Sequence, residues 1–288
     1  MLGELVDGDH AEKTRGPDRP AASGRSPEAA LARPRDPSGT VDRNIRVGGR
    51  VGARMRIDIW SDVVCPWCYI GKRRLERALD DFPHREQIEV VYHSFQLDPA
   101  APTDPTESAL QMLMRKYRLT ETQAREAQGR VSSAAAEEGM HWRHEESPFV
   151  GTGDAHRLLH LALEAGRQAE LKEALLHAYF GEARNVADHE VLRELAVGAG
   201  LDPHRVEEVL ASREFQDAVE ADFQQAAAYG ATGVPLFVID QRYGVSGAQP
   251  VDVFRTALER AWAESHPVLE TVPGAVDADA CGPDGCPV

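Results

Sequence analysis

Cysteine is scarce, positive charge is in deficit, and no apolar run approaches the roughly 18–20 residues needed to span a bilayer. Lys and Arg number 32 against 47 Asp and Glu, a formal net charge of −15 over 288 residues. That balance argues against nucleic acid and against anionic membrane surfaces as partners. The N-terminus carries no apolar core of the signal-peptide kind. A cytoplasmic setting is therefore expected, one in which disulfides are transient and catalytic rather than structural. A hydrophobic content of 42% is that of a globular chain, and the length suits one large domain or two small ones.

The four cysteines fall into two close pairs, Cys65/Cys68 and Cys281/Cys286. None stands elsewhere as an inert core residue, which favours redox or metal chemistry over packing. Cys65-Pro66-Trp67-Cys68 lies between a β-like run, Arg56 to Trp60, and a helix-like run, Tyr69 to Leu79. At such a junction the first sulfur meets unpaired backbone N–H groups and the positive end of the helix dipole, which stabilise a thiolate. Pro66 suits the first helical position, where its missing N–H leaves no bond unmade. A competing reading makes both pairs the ligands of one zinc ion. Pro66-Trp67 followed by a helical pattern fits a helix start better than a zinc knuckle.

Residues 1–54 are dense in Arg, Pro, Gly, Asp and Ala without apolar periodicity and read as a disordered extension. Met55 stands directly before the first strand, so translation starting there is an alternative. After the dithiol and its helix, Ile88 to Phe95 reads as a second strand, parallel to the first through a right-handed crossover. A long helical stretch follows. Asp104-Pro105-Thr106-Glu107 predicts a helix start ahead of Leu110, Leu113, Met114 and Tyr117, and Thr120 with Gln123 predicts a second. Apolar stripes at Ala155/Leu158/Leu159/Ala162, Leu171/Leu175/Tyr179, Val206/Val209/Leu210 and Phe215/Ala218/Val219/Asp222/Ala226 read as core. Strands return at Pro235–Ile239 and Tyr243–Ser246 around an Asp240-Gln241-Arg242 turn. A last helix runs from Pro250 to about Ala263.

The split βαβ and ββα order, with C-x-x-C after the first strand, resembles the thioredoxin fold. Cys-Pro-Trp-Cys-Tyr-Ile-Gly-Lys and the helical insertion resemble the DsbA family, and more narrowly its FrnE-like branch of disulfide oxidoreductases. Ser61-Asp62-Val63-Val64, Gly233-Val234-Pro235, Val245-Ser246-Gly247-Ala248-Gln249, Asp154-Ala155-His156-Arg157 and Gly181 to Val186 carry the likeness further. The expected fold class is α/β: a thioredoxin-like domain from 55–97 and 231–266, an all-helical insertion at 98–230, and a flexible tail at 267–288.

The resemblance implies thiol–disulfide exchange, with Cys65 attacking, Cys68 resolving, and Pro66 and Trp67 tuning the potential. Cys65 is expected at the surface, Cys68 one turn inward and less exposed. The resemblance also implies a cis Val234–Pro235 bond beside the dithiol, its backbone pairing with an extended substrate. Cys281-Gly-Pro-Asp-Gly-Cys286 has turn chemistry and is a candidate second redox pair. Asp58 alternates with Ile57 and Ile59 and is either a proton relay for Cys68 or a solvated or capping carboxylate, and Asp62 also flanks the site. His141 to Glu146 reads as a polar loop rather than a metal site.

No cofactor is expected, although glutathione could act as thiol co-substrate. The partners expected are disulfide- or dithiol-containing proteins or small molecules, and a second copy of the chain could pair through an apolar helical face. The alternative function is a glutathione-dependent isomerase like the 2-hydroxychromene-2-carboxylate isomerases. The complete C-x-x-C argues against it.

Overall fold

The computed structural model describes residues 54–267. Cys281 and Cys286 lie outside the described residues, as do the N-terminal extension and the flexible tail expected on either side.

Strand β1 (Met55–Ser61) leads through Asp62 to Cys65 into helix α1 (Pro66–Asp80), and a single 3-10 turn precedes β2 (Ile88–Ser94). Helices α2 (Ala109–Tyr117), α3 (Glu121–Glu137), α4 (Gly153–Glu164), α5 (Gln168–Phe180), α6 (His189–Gly198), α7 (Pro203–Ala211) and α8 (Gln216–Ala228) form the insertion. The chain then returns as β3 (Leu236–Ile239), β4 (Tyr243–Ser246) and α9 (Val251–Ser265). The sheet order is β2-β1-β3-β4, with β1 parallel to β2 and antiparallel to β3. This is the thioredoxin-like α/β fold with a helical insertion.

The side-chain alternation of β1 assigns its two faces. Ile57 and Ile59 join Leu75, Leu79, Phe237, Phe254 and Leu258 in a core between the sheet, α1 and α9. Asp58 and Trp60 point the other way, and Trp60 packs with Leu236, Val238 and Ala226 of α8. Both faces are thus covered, which a sheet with two four-residue strands requires. The β3–β4 hairpin turns at Asp240 and Gln241, both in the left-handed region at φ 51° and 56°, the pair a tight primed turn demands.

The predicted stripes of α4, α5 and α7 are buried where they were expected, whereas Phe215 and Ala218 of the last stripe are only half-buried. Ala155, Leu158, Leu159, Ala162, Leu171, Leu175, Tyr179, Val206, Val209 and Leu210 share one core with Val63, Tyr69 and Ile70 from the dithiol segment. Thr120 and Gln123 form the predicted capping box. The start of α2 differs. The helix opens at Ser108, whose side chain and Gln111 cap each other, not at Asp104. The chain entering it pairs with a distant segment: Ser108 bridges Pro148, and the Phe149 amide donates to the Glu107 carbonyl at 3.0 Å. Backbone pairing there outcompetes the Asp-Pro helix signal.

Candidate active site

Cys65 is the N-cap of α1, in extended backbone at φ −90° and ψ 115°, with Pro66 following at the helix start. The Cys68 and Tyr69 amides both donate to the Cys65 carbonyl, at 3.1 and 3.4 Å. The remaining first-turn N–H, that of Trp67, and the helix dipole are directed at the Cys65 end. Both cysteines are free thiols. Across from them lies the Val234–Pro235 peptide, which is cis as the resemblance implies. The Cys65 thiol donates to the Val234 carbonyl at 3.7 Å.

Two features bring that loop so close. Gly71, one turn beyond Cys68, has no Cβ; one placed there would lie 3.1 Å from the Phe237 ring and 3.2 Å from Pro235. The Gly247 amide donates to the Pro235 carbonyl at 2.8 Å, from a residue at φ 79°. Arg74 of α1 then donates to the Ala248 carbonyl at 2.7 Å. The Val245–Gln249 segment therefore ties the Pro235 loop to the dithiol helix.

One expectation needs correction. Cys65 is not an exposed sulfur above a buried one: it is 4% exposed and Cys68 3%. The Val234 carbonyl lies against the first sulfur, and half-buried Trp67 and Val64 lean on the core of the insertion. The thiol–carbonyl contact therefore covers the first sulfur.

Beneath the dithiol lies a buried polar cluster. Asp62 accepts from the amides of Val63 and Leu97, both at 2.8 Å, and from His156 Nε2 at 3.3 Å. Lys172 of α5 is 1% exposed, and its Nζ donates to the Ser61 carbonyl at 3.4 Å. Burial opposes the Asp62 charge, yet His156, the Leu97 amide and Lys172 hold its pKa below the usual carboxylate range. Burial pulls His156 down despite Asp62, so the imidazole is neutral and donates through Nε2. Burial and hydrogen bonding to Cys65 push the Cys68 thiol well up, while Lys172 opposes that rise. Burial brings Lys172 down to about 8, against the pull of Cys68, Asp62 and Cys65.

Asp58 occupies a different place from the relay expected of it, and it is neither solvated nor a helix cap. It faces α8, accepting from Arg56 Nε at 2.8 Å and His93 Nε2 at 2.7 Å. His93 Nδ1 continues the chain to Asp222 of α8 at 2.7 Å, and Asp222 also accepts from the Ser94 amide. The side-chain period of two in β1 puts Asp58 on the far face from α1. The His141–Glu146 segment is the loop expected, with His141, Arg143, Glu145 and Glu146 exposed, but two of its rings turn inward. Trp142 and His144 stack on Phe180, and burial takes His144 down to about 4. Among the described residues no cluster has a metal-binding set of His, Cys, Asp and Glu.

The model of the DSBA-like thioredoxin domain matches residues 56–259. The chain belongs to the DsbA-like thioredoxin family. Its members are oxidoreductases or isomerases. The chain is similar to a probable DsbA oxidoreductase from Streptomyces coelicolor, with 49% identity and a TM-score of 0.70 over 81% of this chain and 99% of that one. It is 28% identical to YwbO of Bacillus subtilis over 211 residues, 71% of this chain and 96% of that protein. A 2-hydroxychromene-2-carboxylate isomerase shares the fold, at 16% identity and a TM-score of 0.52 over 73% of this chain and 97% of that one.

For this DsbA-like chain, the sequence pointed to Cys65, Cys68, Pro66, Trp67, Val234 and Pro235, and the structure brings all six to one place. Lys172 escaped notice, although a signal existed. It precedes Leu175 and Leu176 by three and four residues, so it falls on the buried stripe of α5 rather than the solvent face. His156 lies in the Asp154-Ala155-His156-Arg157 segment, but no local pattern reveals its place in the site, because its partner Asp62 is 94 residues away.

Proposed function

We propose that the protein is a thiol–disulfide oxidoreductase of the FrnE-like branch, working in the cytoplasm on disulfide-containing proteins or small molecules. The observation that carries this reading is the free Cys65/Cys68 dithiol at the start of α1, with the Val234 carbonyl 3.7 Å from Cys65.

Cys65, as thiolate, attacks one sulfur of a substrate disulfide and expels the other as a thiolate. Cys68 then attacks Cys65, closing the intramolecular disulfide and releasing the second substrate thiol. Two electrons pass from the enzyme dithiol to the substrate; the reverse sequence oxidises a substrate dithiol. The Val234–Pro235 backbone receives the substrate chain. Pro66 and Trp67 between the sulfurs tune the potential within the span of roughly −270 to −120 mV known for such dithiols. Glutathione is a suitable thiol co-substrate, and Cys281/Cys286 are a second pair able to exchange with the first. No resident cofactor is invoked, and pairing of two copies is compatible with this scheme.

Insulin reduction by wild type and Cys65→Ser, alongside a redox titration, tests the proposal. Loss of turnover in the variant is expected; equal activity would overturn it. Replacing Cys281 and Cys286 with serine should alter turnover with a dithiol reductant, and unchanged kinetics and potential would remove the tail pair from the scheme. The isomerase alternative predicts that Cys68→Ser is harmless, since that chemistry needs no second thiol.

A further inference from the structure

An acidic residue at the C-terminal end of a helix opposes the macrodipole there. Glu138 holds that place as the C-cap of α3, yet its side chain is only 5% exposed, while Glu137 beside it is exposed. Its counter-charges come from α1. Arg74 Nε donates to Glu138 Oε1 at 2.8 Å, and Arg77 donates to Oε2 at 2.7 Å. Arg77 is 59% exposed, so its pairing is screened. Arg74 is 16% exposed, and the other arm of its guanidinium makes the 2.7 Å bond to the Ala248 carbonyl. One planar fork thus joins α3, α1 and the corner that leads from β4 into α9.

That corner is closed on itself. The Gln249 amide donates to the Gly247 carbonyl at 2.9 Å, and Gln249 Nε2 donates to the Ser246 carbonyl at 2.8 Å. Among the described residues, the bond from Arg74 is its one side-chain hydrogen bond to α1. At the corner's other end the Gly247 amide holds the Pro235 carbonyl, one residue from the Val234 carbonyl that covers Cys65. A continuous line of contacts therefore runs from Glu138 through Arg74, Ala248, Gly247 and Pro235 to the first sulfur.

We infer, building on the oxidoreductase reading, that Arg74, aimed by Glu138, is a positioning residue that fits the Val234–Pro235 loop to extended peptide disulfides. With the corner held down, the Val234 carbonyl lies on Cys65 and leaves it 4% exposed. A peptide chain entering beside the loop brings a backbone N–H to that carbonyl as the thiol leaves it, so the acceptor stays paired. A disulfide without amides breaks the same contact and offers nothing in return. The insertion, through Glu138, thereby sets a substrate preference at a site built on the thioredoxin-like sheet.

The test uses the full chain with Cys281 and Cys286 replaced by serine, which leaves Cys65 and Cys68 as the thiols. With a peptide disulfide as substrate and dithiothreitol as reductant, Arg74→Ala should raise KM about tenfold, the loss of one charge-assisted hydrogen bond. The change in kcat should be far smaller. In the same variant the first thionitrobenzoate released from dithiobis-nitrobenzoate, an amide-free disulfide, should appear about threefold faster as the carbonyl lifts from Cys65. A general loosening of the fold would instead lower kcat as the active fraction falls, and that result would overturn the inference. An unchanged peptide KM, or a first release that slows, in a folded Arg74→Ala would overturn it as well. If that variant does not fold, Glu138→Gln decides: it keeps the side-chain volume, removes the charge that aims Arg74, and should move both readouts in the same directions by less. A wild type that turns over no peptide disulfide would instead sink the oxidoreductase reading, and the thionitrobenzoate release would still report whether Arg74 holds the loop on Cys65.

Discussion

Two buried Asp–His pairs sit at and just past the same strand, their aspartates four residues apart, and the pKa values of their histidines are pushed in opposite directions. Asp58 binds His93 on the α8 face; Asp62, just past the strand end, binds His156 beneath the dithiol. Burial is the largest influence on both imidazoles and disfavours the charge on each. His93 overcomes it because two carboxylates, Asp222 and Asp58, each lie 2.7 Å from a ring nitrogen, so its pKa rises. His156 has one carboxylate at 3.3 Å, and burial together with the Lys172 charge outweighs it, so its pKa falls. Counter-charge, not depth, decides the state. One pair is a charged clamp between the sheet and α8. The other is a single Asp–His contact beneath the dithiol.

The sharpest way to break this comparison is to delete one carboxylate from each cluster. Asp222→Ala strips the acceptor from His93, His160 and the Ser94 amide, and should lower stability by about 3–5 kcal/mol. Asp62→Ala strips the Val63 and Leu97 amides and His156, with a loss of similar size. Urea unfolding measures both. Their chemistry should separate them: Asp62→Ala shifts the pH profile of Cys68-dependent resolution, whereas Asp222→Ala leaves it in place. Equal shifts in both variants would show that the clusters are not independent.

A smaller effect concerns pH. The raised His93 pKa contributes stability fully present below the unfolded value of about 6.5 and lost as pH climbs through the higher folded value. The lowered carboxylates act in the other direction, contributing above about 4 and losing that contribution as pH falls through their folded values. The clamp is therefore strongest between about pH 4 and 6.5. His93→Gln should be clearly less stable than wild type at pH 5.5, with the gap narrowing toward pH 8.5 and above. A gap that stays constant in urea midpoints across that range would refute the charged clamp.

The difference between the clusters also explains what the sequence could reveal. Strand alternation, the Cys65–Cys68 spacing and the capping residue Thr120 act over a few residues, and they placed β1, α1 and α3 closely. Asp222 even appeared within a buried stripe, at three residues from Val219 and four from Ala226. Its partners, however, lie on β2 and α4, and a one-dimensional pattern cannot pair a carboxylate with a histidine 129 positions away. Lys172 was hidden in the same manner, on a legible stripe but with its hydrogen-bond partner, the Ser61 carbonyl, 111 residues upstream. The helix start near Asp104 failed for a related reason, since the competing backbone pairing comes from Pro148. Local physics set the elements, and distant counter-charges set the site.

The smallest effect lies at the exposed end of the clamp. Arg56 approaches Asp58 at 2.5 Å, but its side chain is 43% exposed, so its pairing is screened and worth at most about 1 kcal/mol. At pH 5.5 Arg56→Ala should barely move the urea midpoint, because His93, still charged, already neutralises Asp58. Above the His93 titration Arg56 becomes the remaining cation on Asp58, so the same substitution should matter more as pH rises. The Arg56→Ala and His93→Gln effects thus run oppositely with pH. A double variant that is simply additive at every pH would mean that the two cations do not share Asp58, and that the clamp is two separate contacts.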